Sequence, residues 1–283
     1  MILGTFEQHI EEMCRQRSMT LEEAGAFLRR LGVQAVCAGA HELPDPLESR
    51  KRLEGVGLFF SDVYGTLPFI SQQADEAAIR ALLQKTAALG AKRLLVTSEP
   101  YRDMDDAVKR EEDLLRTIDG LKRTVGLASA CGVEIELEDF DCAATPFSFT
   151  DDLLRVFQEV PGIRFAFDSG NFVLAGEDEI AALEKLKQYV GPCVHLKDRS
   201  LTPYLGNGAE EAPLINLKGK RYYPCPVGKG IIRFDRIAEL LRELAFDGTL
   251  VMEHFGAADQ YRYVAESAAC VGGLFGIKGV PAQ

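Results

Sequence analysis

Positive charge, histidine and long apolar runs are all scarce in this chain, and each scarcity removes a class of function. The 32 Lys and Arg residues are outnumbered by 43 Asp and Glu, giving a formal net charge of −11. Sequence-independent nucleic-acid binding relies on Lys and Arg to neutralise phosphates, so no nucleic-acid partner is expected. No apolar run approaches the roughly 20 residues that a membrane-spanning helix needs, so no membrane association is expected. The N-terminus MILGTFEQHIEE lacks the basic-then-apolar order of a signal peptide. Cysteines number seven, an odd count, and none forms a C-x-x-C pair. Several lie in apolar runs such as AVCAGA and GPCVH, where a reduced thiol behaves as a small hydrophobe. These features point to a reducing, cytoplasmic compartment and to no structural zinc. No G-x-G-x-x-G opens a helix, so the dinucleotide-binding fingerprint is missing.

What the chain does have is a repeating local grammar, with 47% hydrophobic residues to build a core. LEEAGAFLRRLG-VQAVCA, IRALLQKTAALG-AKRLLV, IDGLKRTVGLASACG-VEIELE and IAELLRELAFDG-TLVME each run from a helical stretch through Gly into a strand. In the first, Leu21, Ala24, Phe27, Leu28 and Leu31 recur at helical spacing and Gly32 suits the left-handed position after a helix. Strands are expected near 2–6, 33–38, 56–62, 93–98, 133–138, 163–168, 192–196 and 249–253. Helices are expected near 45–54, 72–89, 104–130, 151–159, 178–190, 233–246 and 260–273. Eight strands alternating with helices favour an α/β fold, a (β/α)₈ TIM barrel, which commonly takes about 250 residues in one domain. The whole chain, 1–283, is therefore read as one domain with a long loop after the seventh strand at about 199–231.

Four of these strands end in a side chain able to bind a metal: VEIELE at Glu138, IRFAFD at Asp168, PCVH at His195 and TLVME at Glu253. In a parallel barrel the C-terminal strand ends open onto one face, where chemistry sits. Three carboxylates and an imidazole converging there suit a divalent ion with O and N ligands. Acidic residues also end strands as caps or turn formers, but four such ends, with the only strand-borne His among them, favour a metal site. Residues two apart share a strand face. If the four point inward, Ile135, Leu137, Phe165 and Phe167 face the helices, and Glu136 meets Arg164 on the neighbouring strand as an expected ion pair. His254 then faces away from the site.

LEDFD, FDSGNF, VHLKD, PVGKGIIRFDRIAELLRELAFDG and VMEH together resemble the sugar-phosphate isomerase/epimerase superfamily, the xylose-isomerase-like barrels. The similarity runs from about residue 20 to 273 and does not separate ketose 3-epimerases, hydroxypyruvate isomerases, inosose dehydratases and apurinic endonucleases. The resemblance implies that Glu138, Asp168, His195 and Glu253 bind one divalent metal, and that Glu138 and Glu253 serve as acid and base in the epimerase branch. Many members carry His where this chain has Asn171, which leaves Asn171 as a neutral substrate partner. With only four histidines (His9, His41, His195 and His254), a three-zinc endonuclease site is not expected.

The function read from these residues is a metal-dependent isomerase or epimerase of a small polyhydroxy carbonyl compound, working through an enediolate. An inosose-dehydratase-like lyase and a non-catalytic sugar-binding barrel are the alternatives. The metal is Mn²⁺, Mg²⁺, Co²⁺ or Zn²⁺, among which ligand type does not choose. Lys197 shares the face of His195 and could donate to a substrate oxygen or pair with a carboxylate. Asp198 is expected to orient the loop. His41 and Glu99 follow strands at the active rim as solvated or substrate-edge residues. Arg199, together with Arg221 and Lys229 in the basic part of the loop (Lys218, Lys220, Arg221, Lys229), could hold an anion, although a plain solvated loop is the favoured reading of that basic stretch, and the 199–231 loop is expected to act as a mobile lid. Self-association into a homo-oligomer stays open.

Overall fold

A computed structural model describes residues 1–72, 75–142, 144–205 and 213–277. Eight parallel strands close into a barrel: β1 (Ile2–Phe6), β2 (Val33–Gly39), β3 (Phe59–Thr66), β4 (Arg93–Thr97), β5 (Glu134–Glu138), β6 (Arg164–Asp168), β7 (Val190–Ser200) and, after two short strands, β8 (Leu214–Ile215) and β9 (Arg221–Cys225), the closing strand β10 (Thr249–Glu253). β10 pairs in parallel with both β1 and β7, so the barrel has no open edge. The helices are α1 (Glu7–Arg17), α2 (Leu21–Arg30), α3 (Pro46–Gly55), α4 (Glu76–Ala88), α5 (Ala107–Ala128), α6 (Thr150–Glu159), α7 (Phe172–Ala175), α8 (Glu179–Leu186), α9 (Phe234–Glu243) and α10 (Gln260–Phe275). No helix among the described residues is long and apolar enough to cross a membrane.

Local chemistry accounts for most of these boundaries. Thr20 and Glu23 form a reciprocal capping box at the start of α2, Glu23 N–H donating to Thr20 Oγ1 and Thr20 N–H to Glu23 Oε2 (3.2 and 2.8 Å). Asp45, Asp75, Asp106, Asp178 and Asp259 accept from the first free N–H groups of α3, α4, α5, α8 and α10. Gly32 takes its expected left-handed conformation at φ 85°. The third strand starts three residues later than the sequence suggests, because Gly57 at φ 76° turns the chain out of α3 first. α1 was not expected: it follows β1 directly, with no glycine or turn to announce it.

The strand alternation sorts side chains as the sequence requires. Phe6, Cys37, Leu95, Ala166, Cys193 and Val251 fill the barrel interior. Ile135, Leu137, Phe165 and Phe167 belong instead to the layer packed beneath the helices. At the barrel floor the expected Glu136–Arg164 pair does not form. The two residues are register partners, but Arg164 is exposed at the rim. Arg93, opening β4 on the other side of β5, reaches inward instead; it hydrogen-bonds Asp62 and lies 3.7 Å from Glu136. Burial, reinforced by the Asp62 charge, pushes the fully buried Glu136 carboxyl up to about 8 despite Arg93.

The long loop is also more ordered than its composition implies. β7 runs past the barrel, and its Asp198, Arg199 and Ser200 pair antiparallel with Cys225, Pro224 and Tyr223 of β9, on which β8 pairs in turn. Pro224 disguised β9 in the sequence, since proline within a run argues against a strand. Residues 206–212 of the expected lid lie outside the described residues.

Candidate metal centre and active site

Glu138, Asp168, His195 and Glu253 occupy the C-terminal halves of β5, β6, β7 and β10. Asp168 is the register partner of His195, and Glu253 that of Lys197, which stacks the groups at the top of the barrel. One ligand atom from each of the four can be chosen so that all lie within 4.8 Å of one another, and all four residues are buried. His195 Nδ1 lies 3.0 Å from Glu138 Oε1 and 3.4 Å from Glu253 Oε2. His195 Nε2 and Asp168 Oδ2 are buried without a hydrogen-bond partner. Three convergent buried carboxylates with the imidazole Nδ1 among them fit a divalent cation, because Lys197 is the one ammonium beside them and buried like charges are otherwise costly.

Neighbouring groups set the charge of this cluster. Burial, reinforced by the Glu253 and Glu138 charges against the pull of Lys197, pushes the Asp168 carboxyl well above the usual carboxylate range. For Glu253 burial acts the same way, yet the Lys197 ammonium and His195 outweigh it and hold its carboxyl well below that range. Burial disfavours the charged form of His195, but the Glu138 carboxylate overcomes it and raises the imidazole. Lys197 is buried, hydrogen-bonds Asn171 Oδ1 at 2.8 Å, and forms ion pairs with Glu253 and, at 3.4 Å, with Asp168. Burial lowers its ammonium and these carboxylates more than restore it, so it stays protonated. Of the two sequence readings for Lys197, the carboxylate pairing is present, and the side chain also lines the cavity.

A cavity of about 220 Å³ opens above the cluster. Phe6, Tyr64, Leu95 and Phe255 form an apolar wall; Glu138, His195, Lys197, Glu253, Asn171 and Asp141 supply the polar side. Asn171 is fixed by donating to Asp139 O at 2.7 Å and to Glu138 Oε1 at 3.4 Å. Behind the ligands, Asp139 Oδ1 accepts the Asp168 N–H at 2.8 Å, and Gly170 N–H donates to Asp168 Oδ1 at 2.7 Å. Gly170 packs so closely on β7 that a Cβ there would lie 2.6 Å from Lys197 O, which only glycine permits.

The other expected residues distribute differently. Arg199 is buried, donates from Nε to Gly170 O at 3.3 Å and lies 3.9 Å from Asp141. Arg221 and Lys229 are exposed and do not line the cavity. The β8–β9 hairpin packs beside α7, with Leu217 N–H donating to Leu174 O, and none of its described residues lines the cavity. Lys218 donates to Gly176 O at 3.1 Å and Lys220 lies over the Tyr222 ring. Asp198 does orient the loop: its carboxylate accepts from the N–H groups of Arg199, Gly228, Gly230 and Ile232. His254 faces the helix layer, where its Nε2 meets Ser267 Oγ at 2.7 Å and its N–H donates to His9 Nε2 at 2.8 Å. His41 is exposed, and Glu99 accepts from Ile70 and Ser71 N–H. Sequence reading missed Asp141 and the aromatic wall, which carry no spacing signal because they come from separate loops and strands.

Comparison with known proteins agrees with this architecture. A family model described as xylose isomerase-like TIM barrel matches residues 15–270. The inosose dehydratase of Clostridium perfringens is 26% identical over 262 residues, covering 88% of this chain and 82% of that protein. Among solved structures, the IOLI protein with a bound zinc atom superposes with a TM-score of 0.71 at 16% identity over all of both chains. D-psicose 3-epimerase from Clostridium cellulolyticum H10, with D-tagatose, superposes with a TM-score of 0.68 at 16% identity, covering 99% of this chain and 100% of that one. With the match spanning nearly the whole barrel, the chain belongs to the xylose isomerase-like TIM barrel family.

Proposed function

We propose that the chain is a divalent-metal-dependent enzyme that moves a proton beside the carbonyl of a small polyhydroxy compound, as an isomerase or epimerase. The observation that carries this reading is the approach of Glu138 and Glu253 to His195 from either side of β7, at 3.0 and 3.4 Å, at the floor of a small cavity. The cavity holds the liquid volume of about seven waters at roughly 30 Å³ each, which suits a small polyol. A divalent ion held by Glu138, Asp168, His195 and Glu253, whether Mn²⁺, Mg²⁺, Co²⁺ or Zn²⁺, would polarise the carbonyl oxygen and acidify the neighbouring C–H.

The protein's own groups do the rest. One glutamate removes the carbon-bound proton and the other returns a proton to the opposite face, which inverts the centre. If one glutamate serves both steps, the proton reaches the neighbouring carbon and an aldose and a ketose interconvert. Lys197, which keeps its proton, donates to a substrate oxygen, and Asn171 holds that ammonium in line. The aromatic wall keeps water from the reacting carbon.

A second reading is a lyase: after the same proton removal, a β-hydroxyl leaves as water. It is favoured by the named inosose dehydratases among the relatives. A mere sugar-binding barrel would have no use for two convergent glutamates and a buried ammonium. Incubation of the metal-loaded protein with ketohexoses and with a keto-inositol in D₂O, followed by NMR, tests the choice. Deuterium at carbon without loss of water supports the isomerase or epimerase; an enone product supports the lyase; neither change with any compound refutes the proton-transfer reading.

A further inference from the structure

We infer that Asp141 sets the charge of the substrate: it suits the cavity to an uncharged polyhydroxy compound and turns away the carboxylate or phosphate counterpart. The inference rests on the carbohydrate reading above. Asp141 follows β5, lines the cavity and keeps 39% of its side chain exposed. Its carboxylate lies 4.0 Å from Lys197 Nζ and 3.9 Å from Arg199 Nη2. That is beyond hydrogen-bond range and within reach of ion pairing.

An incoming anion would need one of these two cations. Lys197 is already offset by its ion pairs with Glu253 and Asp168, so what it offers a ligand is a hydrogen bond and not an unbalanced charge. Arg199 Nε donates to Gly170 O, and among the described residues Asp141 is the acid beside its guanidinium. Arg199 itself does not line the cavity; Asp141 does, and it lies beside the guanidinium while presenting its own negative charge to the cavity. Asp141 adds a carboxylate to a lining that already holds Glu138 and Glu253, with Lys197 the one Lys or Arg among the lining residues. The opposite wall adds no cation, being Phe6, Tyr64, Leu95 and Phe255. Specificity here comes from a repulsive element as much as from attraction.

The test is calorimetric titration of the metal-loaded full chain with xylitol and with xylonate, in wild type, Asp141→Asn and Asp141→Glu. Wild type is expected to prefer xylitol by at least about ten-fold, and Asp141→Asn to erase about ten-fold of that preference by gaining on xylonate. Asp141→Glu, which keeps the charge, should restore the preference. Equal binding of the two probes by wild type, or an unchanged preference in Asp141→Asn, overturns the inference and leaves the carbohydrate reading standing. If wild type binds neither probe, the carbohydrate reading falls and takes the inference with it.

Discussion

One ammonium, Lys197, touches two of the three clustered acids and the asparagine that supports the third. The site therefore works as a unit, and single changes within it should be severe. Glu253→Gln keeps the side chain's shape but removes the charge that, on the proposed function, ligates the metal and moves the proton. It should reduce turnover by about 10²–10⁴-fold, with less metal retained by elemental analysis and an unchanged far-UV circular dichroism spectrum. The barrel floor supports a second prediction. Arg93→Met strands the buried Asp62 carboxylate without its partner and should cost roughly 3–5 kcal/mol, whereas Arg164→Met at the exposed rim should stay within about 0.5 kcal/mol. Equal denaturation midpoints for the two variants would contradict the observed pairing. The four strand-end groups were legible in sequence because each closes an apolar run, so alternation alone fixes their direction. The Arg93 pairing was not, since Arg93 and Arg164 both open strands that flank β5, and only the three-dimensional rim decides which one turns inward. Asp141 gave no signal because a loop aspartate looks the same whether it faces solvent or a cavity.

Among the elements, β7 has the most varied duties. Its first part belongs to the barrel, its middle supplies His195 and Lys197, and its end pairs with β9. Asp198 ties the chain returning from β9 to that end by accepting three N–H groups from Gly228, Gly230 and Ile232. Hydrogen bonds to a charged acceptor contribute about 1.5–3 kcal/mol each, so Asp198→Ala should destabilise by at least about 3 kcal/mol. Amide exchange should quicken at 228–232 and remain slow in β1 and β2; uniform loosening across the barrel would show that Asp198 acts globally instead. The eight barrel strands and most helices could be read from periodicity and glycine punctuation. The hairpin could not, because β8 has two residues and β9 contains a proline.

The whole molecule should respond to acid through its neutral histidines. Burial holds the His254 imidazole down to about 3, and burial, with His254 alongside, holds His9 well below its ordinary value. A histidine depressed in the folded state binds its proton more readily when unfolded. Its contribution is complete above the ordinary value near 6.5 and is lost as pH falls toward the folded value. Between pH 6.5 and pH 5 this amounts to about 2 kcal/mol for His254, and His254→Asn should flatten the dependence by about that much in urea melts at the two pH values. A parallel slope in the variant would assign the acid response to other groups. The geometry of β7 also bears on how such a molecule can change over generations. The hairpin leaves and re-enters the barrel at points pinned by one aspartate, outside the closed ring of strands. Its length and composition can therefore drift while the ring and the four strand ends stay fixed. New surface can be tried there without disturbing the acid–imidazole cluster.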